Sequence, residues 1–170
     1  MNPKEIIKRL RLKPHQVEGG YFRETYRSEE KIAVKSLPAR YKGKRTFSTL
    51  IYYLLTKTAF SAMHRVKSDE VFHFYAGDPV EMLQLLPGGK GKIITLGNNI
   101  TKGHLPQVVV RRGVWQGSRL KQGGKFALFG NTVAPGFEFA DYEHGDRQRL
   151  IKQYPKFKNK IMGLTKRKVK

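Results

Sequence analysis

Along most of this chain, apolar residues recur at every second position, in short runs broken by Gly, Pro and Asn. That period belongs to strands, whose successive side chains face opposite ways. Ten segments rich in Val, Ile, Phe, Tyr and Thr are predicted strands: 21–28, 46–56, 59–66, 70–75, 80–86, 92–96, 107–110, 114–120, 125–130 and 136–139. Pro87-Gly88-Gly89-Lys90-Gly91, Lys121-Gln122-Gly123-Gly124 and Gly97-Asn98-Asn99 read as the loops between some of them. Helical spacing occurs only at the ends. Asn2, Pro3 and Glu5 form a start signal of N-cap, first-turn proline and capping-box acid, and Ile6, Ile7 and Leu10 supply one apolar stripe over residues 3–11. A second helix is predicted at about 145–153, around Arg149, Leu150 and Gln153, and stops before Pro155. Many short strands with helices confined to the ends predict an antiparallel sandwich or barrel.

Length and composition narrow the picture. A chain of 170 residues is expected to be one domain with its own hydrophobic core. The absence of cysteine excludes disulfides and thiolate metal sites. No apolar run approaches the roughly 18 residues of a membrane helix, and the start lacks the apolar core of a signal peptide, so a cytoplasmic protein without a membrane partner is expected. The formal net charge is +21, and it is unevenly spread: from Arg147 onward there are ten Lys or Arg and no Asp or Glu. Residues 156–170 are therefore read as a basic C-terminal tail on a domain of residues 1–155. Such a tail is either a solvated extension or an electrostatic arm that binds nucleic acid weakly.

Alternation then selects candidate chemistry. His64 shares a strand face with Phe60, Ala62 and Val66, and Glu70 shares one with Phe72 and Phe74. With both apolar faces turned inward, His64 and Glu70 meet in the barrel mouth and His73 points the other way. Gln116, on a face with Val114 and Ser118, joins them if its strand lies opposite. In this arrangement His64 is a candidate general base with its tautomer set by Glu70, and Tyr52, Tyr53 or Tyr75 a candidate acid. The same two residues equally describe a buried pair that satisfies its own hydrogen bonds. Arg23 is a candidate clamp for a phosphate or carboxylate at the pocket edge, or else a surface residue with paired charges.

These residues resemble the two motifs of the cupin superfamily. The first motif runs Gly, His-x-His, three or four residues, Glu, six residues, Gly; this chain has His64, Glu70 and Gly77 at those places, with Val66 where the second His belongs. The second ends Pro-x-Gly-x-x-His; here Gly113 matches, Arg111 replaces the Pro and Gln116 replaces the His. More narrowly, the blocks Glu18-Gly19-Gly20-Tyr21-Phe22-Arg23-Glu24-Thr25-Tyr26-Arg27-Ser28, Ser68-Asp69-Glu70, Gly113-Val114-Trp115-Gln116 and Thr132-Val133-Ala134-Pro135-Gly136-Phe137-Glu138-Phe139 resemble a subgroup called cupin type five. The resemblance implies an all-β fold, the cupin double-stranded β-helix or jelly-roll-like antiparallel barrel with short terminal helices. It also implies a homodimer, which the edge candidate 21–28 supports, and an unassigned activity with a proposed likeness to sugar-nucleotide epimerases. Cupins usually bind iron, manganese or zinc through three His and one Glu. With Val66 and Gln116 in two of those places, no metal and no other cofactor are expected.

The resulting expectation is a protein that binds a small, sugar-like polar metabolite and isomerises it without metal. His64 and Glu70 are the catalytic candidates, and Gln116, Phe72, Arg23 and Tyr53 the ligand-binding ones. The rival expectations are a non-catalytic binding or regulatory module, and a nucleic-acid-associated protein acting through its tail.

Overall fold

The computed structural model describes residues 2–166. In chain order its elements are helix α1 (Pro3–Arg9), strands β1 (Lys13–Pro14), β2 (Tyr21–Arg27), β3 (Lys31–Ile32), β4 (Arg45–Thr46), β5 (Thr49–Thr56), β6 (Ser61–Arg65), β7 (Asp69–Gly77), β8 (Val80–Leu86), β9 (Lys90–Leu96), β10 (Gln107–Val110), β11 (Trp115–Leu120), β12 (Phe126–Ala134) and β13 (Glu143–His144), then helices α2 (Arg147–Gln153) and α3 (Lys158–Gly163). Two antiparallel sheets make the barrel. One has the order β1-β2-β5-β12-β7-β10 and the other β13-β6-β11-β8-β9, with β3-β4 as a separate ribbon. The main core lies between the sheets, where Leu55, Phe72, Met82, Leu96, Ala127 and Phe129 are buried. No helix among the described residues is long and apolar enough to cross a membrane.

The helices cover outward apolar positions. At α1, the Asn2 side chain accepts from the Lys4 N–H at 3.0 Å, an N-cap that satisfies a helix-end donor. The helix lays Ile6 against Leu54 and Phe126 on the outer face of the six-stranded sheet. On the other sheet, Met63, Leu83, Leu85 and Trp115 are roofed by Leu150, Tyr154, Ile161 and Leu164.

That roof extends past the boundary expected at residue 155. Lys158, Lys160 and the basic residues around them mask an apolar pair, Ile161 and Leu164, whose i, i+3 spacing suits one helix face. Both are buried. The Leu164 carbonyl accepts from the Met63 N–H at 2.8 Å, and Lys160 Nζ sits 2.6 Å from Glu81 Oε1. Residues 156–166 are thus part of the packed fold, and residues 167–170 of the expected tail lie outside the described residues.

Two other expectations are revised. Residues 136–139 form no strand. The Gly136 N–H bonds the Thr46 carbonyl, the Phe137 N–H bonds Thr49 Oγ1 at 3.0 Å, and Phe139–Asp141 closes a 3-10 turn. With these donors engaged by a loop and a side chain, no ladder forms. Strand β2 is also less of an edge than expected, because β1 pairs with Tyr21 and Phe22 and leaves the outer side open only from Arg23 onward.

The docking of α3 is testable. Ile161→Ala is expected to destabilise the protein by about 2–5 kcal/mol in denaturant unfolding, the usual cost of emptying a closed apolar site. A loss below about 1 kcal/mol, the level of a surface change, would mean that α3 is not part of the cooperative fold.

Candidate functional site

Inward-facing side chains at alternate positions build one cavity of about 110 Å³. Its wall takes Thr49, Ile51 and Tyr53 from β5, His64 and Val66 from and just after β6, Glu70 and Phe72 from β7, and Asn131 and Val133 from β12. Strand β2 contributes Phe22, Glu24 and Arg27. Strict alternation would have put Arg27 outside with Arg23, but the β2–β5 register shifts between Glu24 and Tyr26. This bulge, an extra residue in one strand, reverses the side-chain parity beyond it. Arg23 therefore lies on the outer face, its guanidinium 5.7 Å from the centre of the Tyr52 ring. It does not line the cavity, and Arg27 is the arginine at the mouth. Tyr52 and Tyr75 meet edge to face on that same outer surface, with ring centres 6.2 Å apart. His73 faces outward too, between Gln107 and Thr132 at 3.3 Å each.

At the inner end of the cavity His64, Glu70 and Gln116 come together. Gln116 and His64 are directly paired across β11 and β6. His64 Nδ1 is 2.7 Å from the Ala62 carbonyl oxygen; a carbonyl only accepts, so Nδ1 carries the proton. That leaves Nε2 as the lone-pair nitrogen of the neutral ring, and the Gln116 amide donates to it at 2.7 Å. The same amide donates to Glu70 Oε2 at 3.3 Å, and Asn131 Nδ2 donates to Glu70 Oε1 at 3.1 Å. Gln116 has no exposed surface and does not contact the cavity. Its place is behind His64 and Glu70, so it positions these two and is not a ligand contact.

Four residues that sequence reasoning did not assign to the site complete it. Glu18 accepts from the Ser61 hydroxyl at 2.5 Å through Oε1 and brings Oε2 to 3.7 Å from His64 Nε2. The turn Gly19-Gly20, at φ of 105° and 69°, presents it there. That backbone region strongly favours glycine, and a Cβ at Gly19 would collide with the Phe60 carbonyl. His15 accepts from the Glu18 N–H at Nδ1, 3.0 Å away, so its proton is on Nε2, which lies 4.0 Å from Glu18 Oε2. Tyr142 stacks on the His64 ring, 5.0 Å between centres and 21° between planes. Asn131 is the fourth. A signal for it existed: a polar residue at an inward position between Phe129 and Val133. Glu18 belongs to a segment that carries the family resemblance, but no periodicity assigns it to the site.

The electrostatics follow from burial. Loss of water raises the Glu70 carboxyl above its ordinary range, and Glu18 adds to it; the amides of Asn131 and Gln116 offset part of this. Burial and the Glu18 charge hold both the Tyr53 and Tyr142 phenols well up, in their protonated forms. The Tyr53 hydroxyl donates to the Gly19 carbonyl at 2.5 Å. Burial lowers His15, which keeps that ring neutral as well.

The metal that the fold would suggest does not fit this donor set. Val66 offers no ligand atom, Gln116 turns an N–H rather than an oxygen toward the site, and this N–H occupies the one imidazole lone pair. Among the described residues no group of three or more His, Cys, Asp or Glu is arranged to hold a metal ion.

The raised Glu70 gives a signed expectation for pH. The fold favours the neutral carboxyl, so this contribution to stability is complete below the unfolded pKa and is lost as pH rises through the folded one. Glu70→Gln keeps the neutral form at every pH. Its melting temperature relative to the wild type is expected to rise between about pH 4 and about pH 8. A difference that is flat or falls with pH would show that Glu70 is not held neutral by the fold.

Comparison with known proteins agrees with this fold. The profile of the family described as "Cupin superfamily (DUF985)" matches residues 4–145. The "Uncharacterized protein YML079W" of Saccharomyces cerevisiae is 31% identical over an alignment of 146 residues that covers 81% of this chain and 72% of that protein. Among solved structures, a "Hypothetical protein from Leishmania major" superposes with a TM-score of 0.87 at 28% identity, covering 98% of this chain and 100% of that one. Protein SO0799 from Shewanella oneidensis gives 0.85 at 35% identity, covering 98% of each. Oxalate decarboxylase from Bacillus subtilis gives 0.54 at 16% identity over 90% of this chain and 37% of its own, a likeness of fold alone. On the extent of the profile match and the agreement in fold, this chain belongs to the cupin superfamily, in the family designated DUF985.

Proposed function

We propose that the protein binds a small polar organic molecule inside its barrel. The observation that carries this reading is the cavity itself, where aromatic walls meet the polar side chains of Glu18 and Asn131. At about 110 Å³ it is well below the roughly 300–1,000 Å³ of drug-sized sites. That size suits one ring or a short chain. A whole nucleotide-sugar is too large to be enclosed.

Binding is favoured over isomerisation through His64. A general base needs a free lone pair within reach of the substrate, and the Gln116 amide occupies that of His64. Inverting a carbon centre also requires proton removal from one face and delivery to the other. The available phenol, Tyr142, lies flat on His64, so the two do not flank a substrate from opposite sides. A catalytic reading is better placed on Glu18, whose Oε2 is not engaged by Ser61 and lies between the two imidazoles.

A thermal-shift screen of small amines, polyols, hydroxy acids and sugar phosphates tests the reading, because a ligand at ~100 times its Kd adds about 2.7 kcal/mol of stability. At least one class is expected to raise the melting temperature of the wild type. Val66→Phe puts a larger side chain into the cavity volume and is expected to remove that rise. No shift from any class, or a shift that survives in Val66→Phe, would overturn the cavity as the binding site.

A further inference from the structure

The charge of the cavity runs against the charge of the protein. Lys and Arg outnumber Asp and Glu by 34 to 13 over the chain, yet the cavity wall carries Glu18, Glu24 and Glu138, besides the Glu70 that burial favours in its neutral form, against the single cation Arg27. Arg27 is also engaged through four of its five N–H donors. Its Nε and Nη2 hold Glu24 at 3.0 and 2.8 Å, its Nη1 holds Glu138 at 2.9 Å, and Nη2 reaches the Phe137 carbonyl at 3.2 Å. A phosphate or carboxylate entering here would have to break these bonds to find a cation.

The hydrogen-bond inventory points the same way. Most strong donors of the wall and its backing are already engaged: Gln116 on His64 and Glu70, one Asn131 N–H on Glu70, His64 Nδ1 on Ala62, Tyr53 on Gly19. The donors left are the second Asn131 N–H, the proton of a neutral Glu70 carboxyl, the His15 Nε2–H and the hydroxyls of Thr49 and Tyr142. On the acceptor side, Glu18 Oε2 has no hydrogen bond closer than the imidazoles at 3.7 and 4.0 Å. Asn131 is 8% exposed, and its Oδ1 is a buried acceptor with no partner. An unpaired buried oxygen costs free energy until a donor reaches it. The wall therefore lacks N–H donors that a guest would bring, and lacks the positive charge.

We propose that the cavity takes a small organic cation, an ammonium group on a compact apolar or aromatic body, and rejects phosphates and carboxylates. The ammonium supplies three donors and no acceptor, which complements Glu18 Oε2 and the carboxylates at the mouth. The body packs on Phe22, Phe72 and Phe137, and aromatic faces also attract a nearby cation. This inference rests on the cavity being the binding site and adds the ligand's charge class to that reading.

Three probes sharing one frame separate the two claims: benzylamine, benzyl alcohol and benzoate, titrated by calorimetry at neutral pH into the wild type, Glu18→Gln and Val66→Phe. Benzylamine is expected to bind the wild type about tenfold or more tightly than benzyl alcohol, since its contacts are charge-assisted, with benzoate weakest. Glu18→Gln is expected to remove most of the preference for the amine while retaining the alcohol, and Val66→Phe to abolish both. If the alcohol or benzoate matches or exceeds the amine, or if Glu18→Gln leaves the preference intact, the charge inference is overturned while the binding reading stands. If none of the three binds, the charge inference falls with this test, and the thermal-shift screen decides the binding reading separately. If amine binding survives unchanged in Val66→Phe, it occurs outside the cavity, and the inference is overturned in that case too.

Discussion

The Gln116 amide, held between an imidazole and a carboxyl group inside the barrel, is the contact on which the site depends. One NH2 group reaches His64 Nε2 at 2.7 Å and Glu70 Oε2 at 3.3 Å, and all three residues are buried. Buried polar groups are tolerated only when they find partners, and stranding one costs about 1–3 kcal/mol. Each of the three supplies what another lacks. The amide caps the ring, the ring is fixed from behind by Ala62, and the carboxyl group takes the amide's second proton together with the Asn131 amide. An imidazole in the place of Gln116 would offer a lone pair to a metal; the amide offers a proton to its neighbour. This exchange turns a metal-type constellation into a hydrogen-bonded polar cluster in which the Gln116 amide oxygen is left without a partner, and Glu18 completes the polar side of the cavity.

The fold positions these groups by parity. Five strands from the two sheets contribute alternate residues to one interior, so a side chain's access to the cavity is decided by whether its number is in step with its neighbours. The bulge in β2 changes that step once, and with it the identity of the arginine at the mouth. The tight turn at Gly19-Gly20 swings Glu18 under β6, where Ser61 and the Ala62 N–H secure the loop. Outside, helices α1, α2 and α3 cover the apolar faces and leave the interior to the polar cluster.

Much of this geometry was legible in the sequence, for reasons that differ by residue. Alternation within 59–66, 70–75 and 114–120 put His64, Glu70 and Gln116 on inward faces, and the structure brings them together; Phe72 and Tyr53 line the cavity by the same rule. Arg23 was placed at the pocket edge because a bulge has no pattern in sequence, and a single inserted residue in β2 sends Arg27 inward instead. Glu18 and Tyr142 reach the site from loops, where no periodicity tells which way a side chain points. That Gln116 stands behind the site, and not in its wall, depends on how deeply β11 is buried, a property of packing and not of spacing. The helix α3 was hidden because its two apolar anchors are diluted among lysines, so composition read as a tail what packing makes a lid on the sheet.

The central claim is that the His64 lone pair is occupied and its other nitrogen carries the proton. Nitrogen-15 NMR of the histidine ring at neutral pH tests it directly. The account predicts a neutral His64 with a protonated, pyrrole-type Nδ1 and an unprotonated, hydrogen-bonded Nε2. A His64 with its proton on Nε2 would contradict it, because Gln116 would then have to present its oxygen and the network around Glu70 would be wired in the opposite sense.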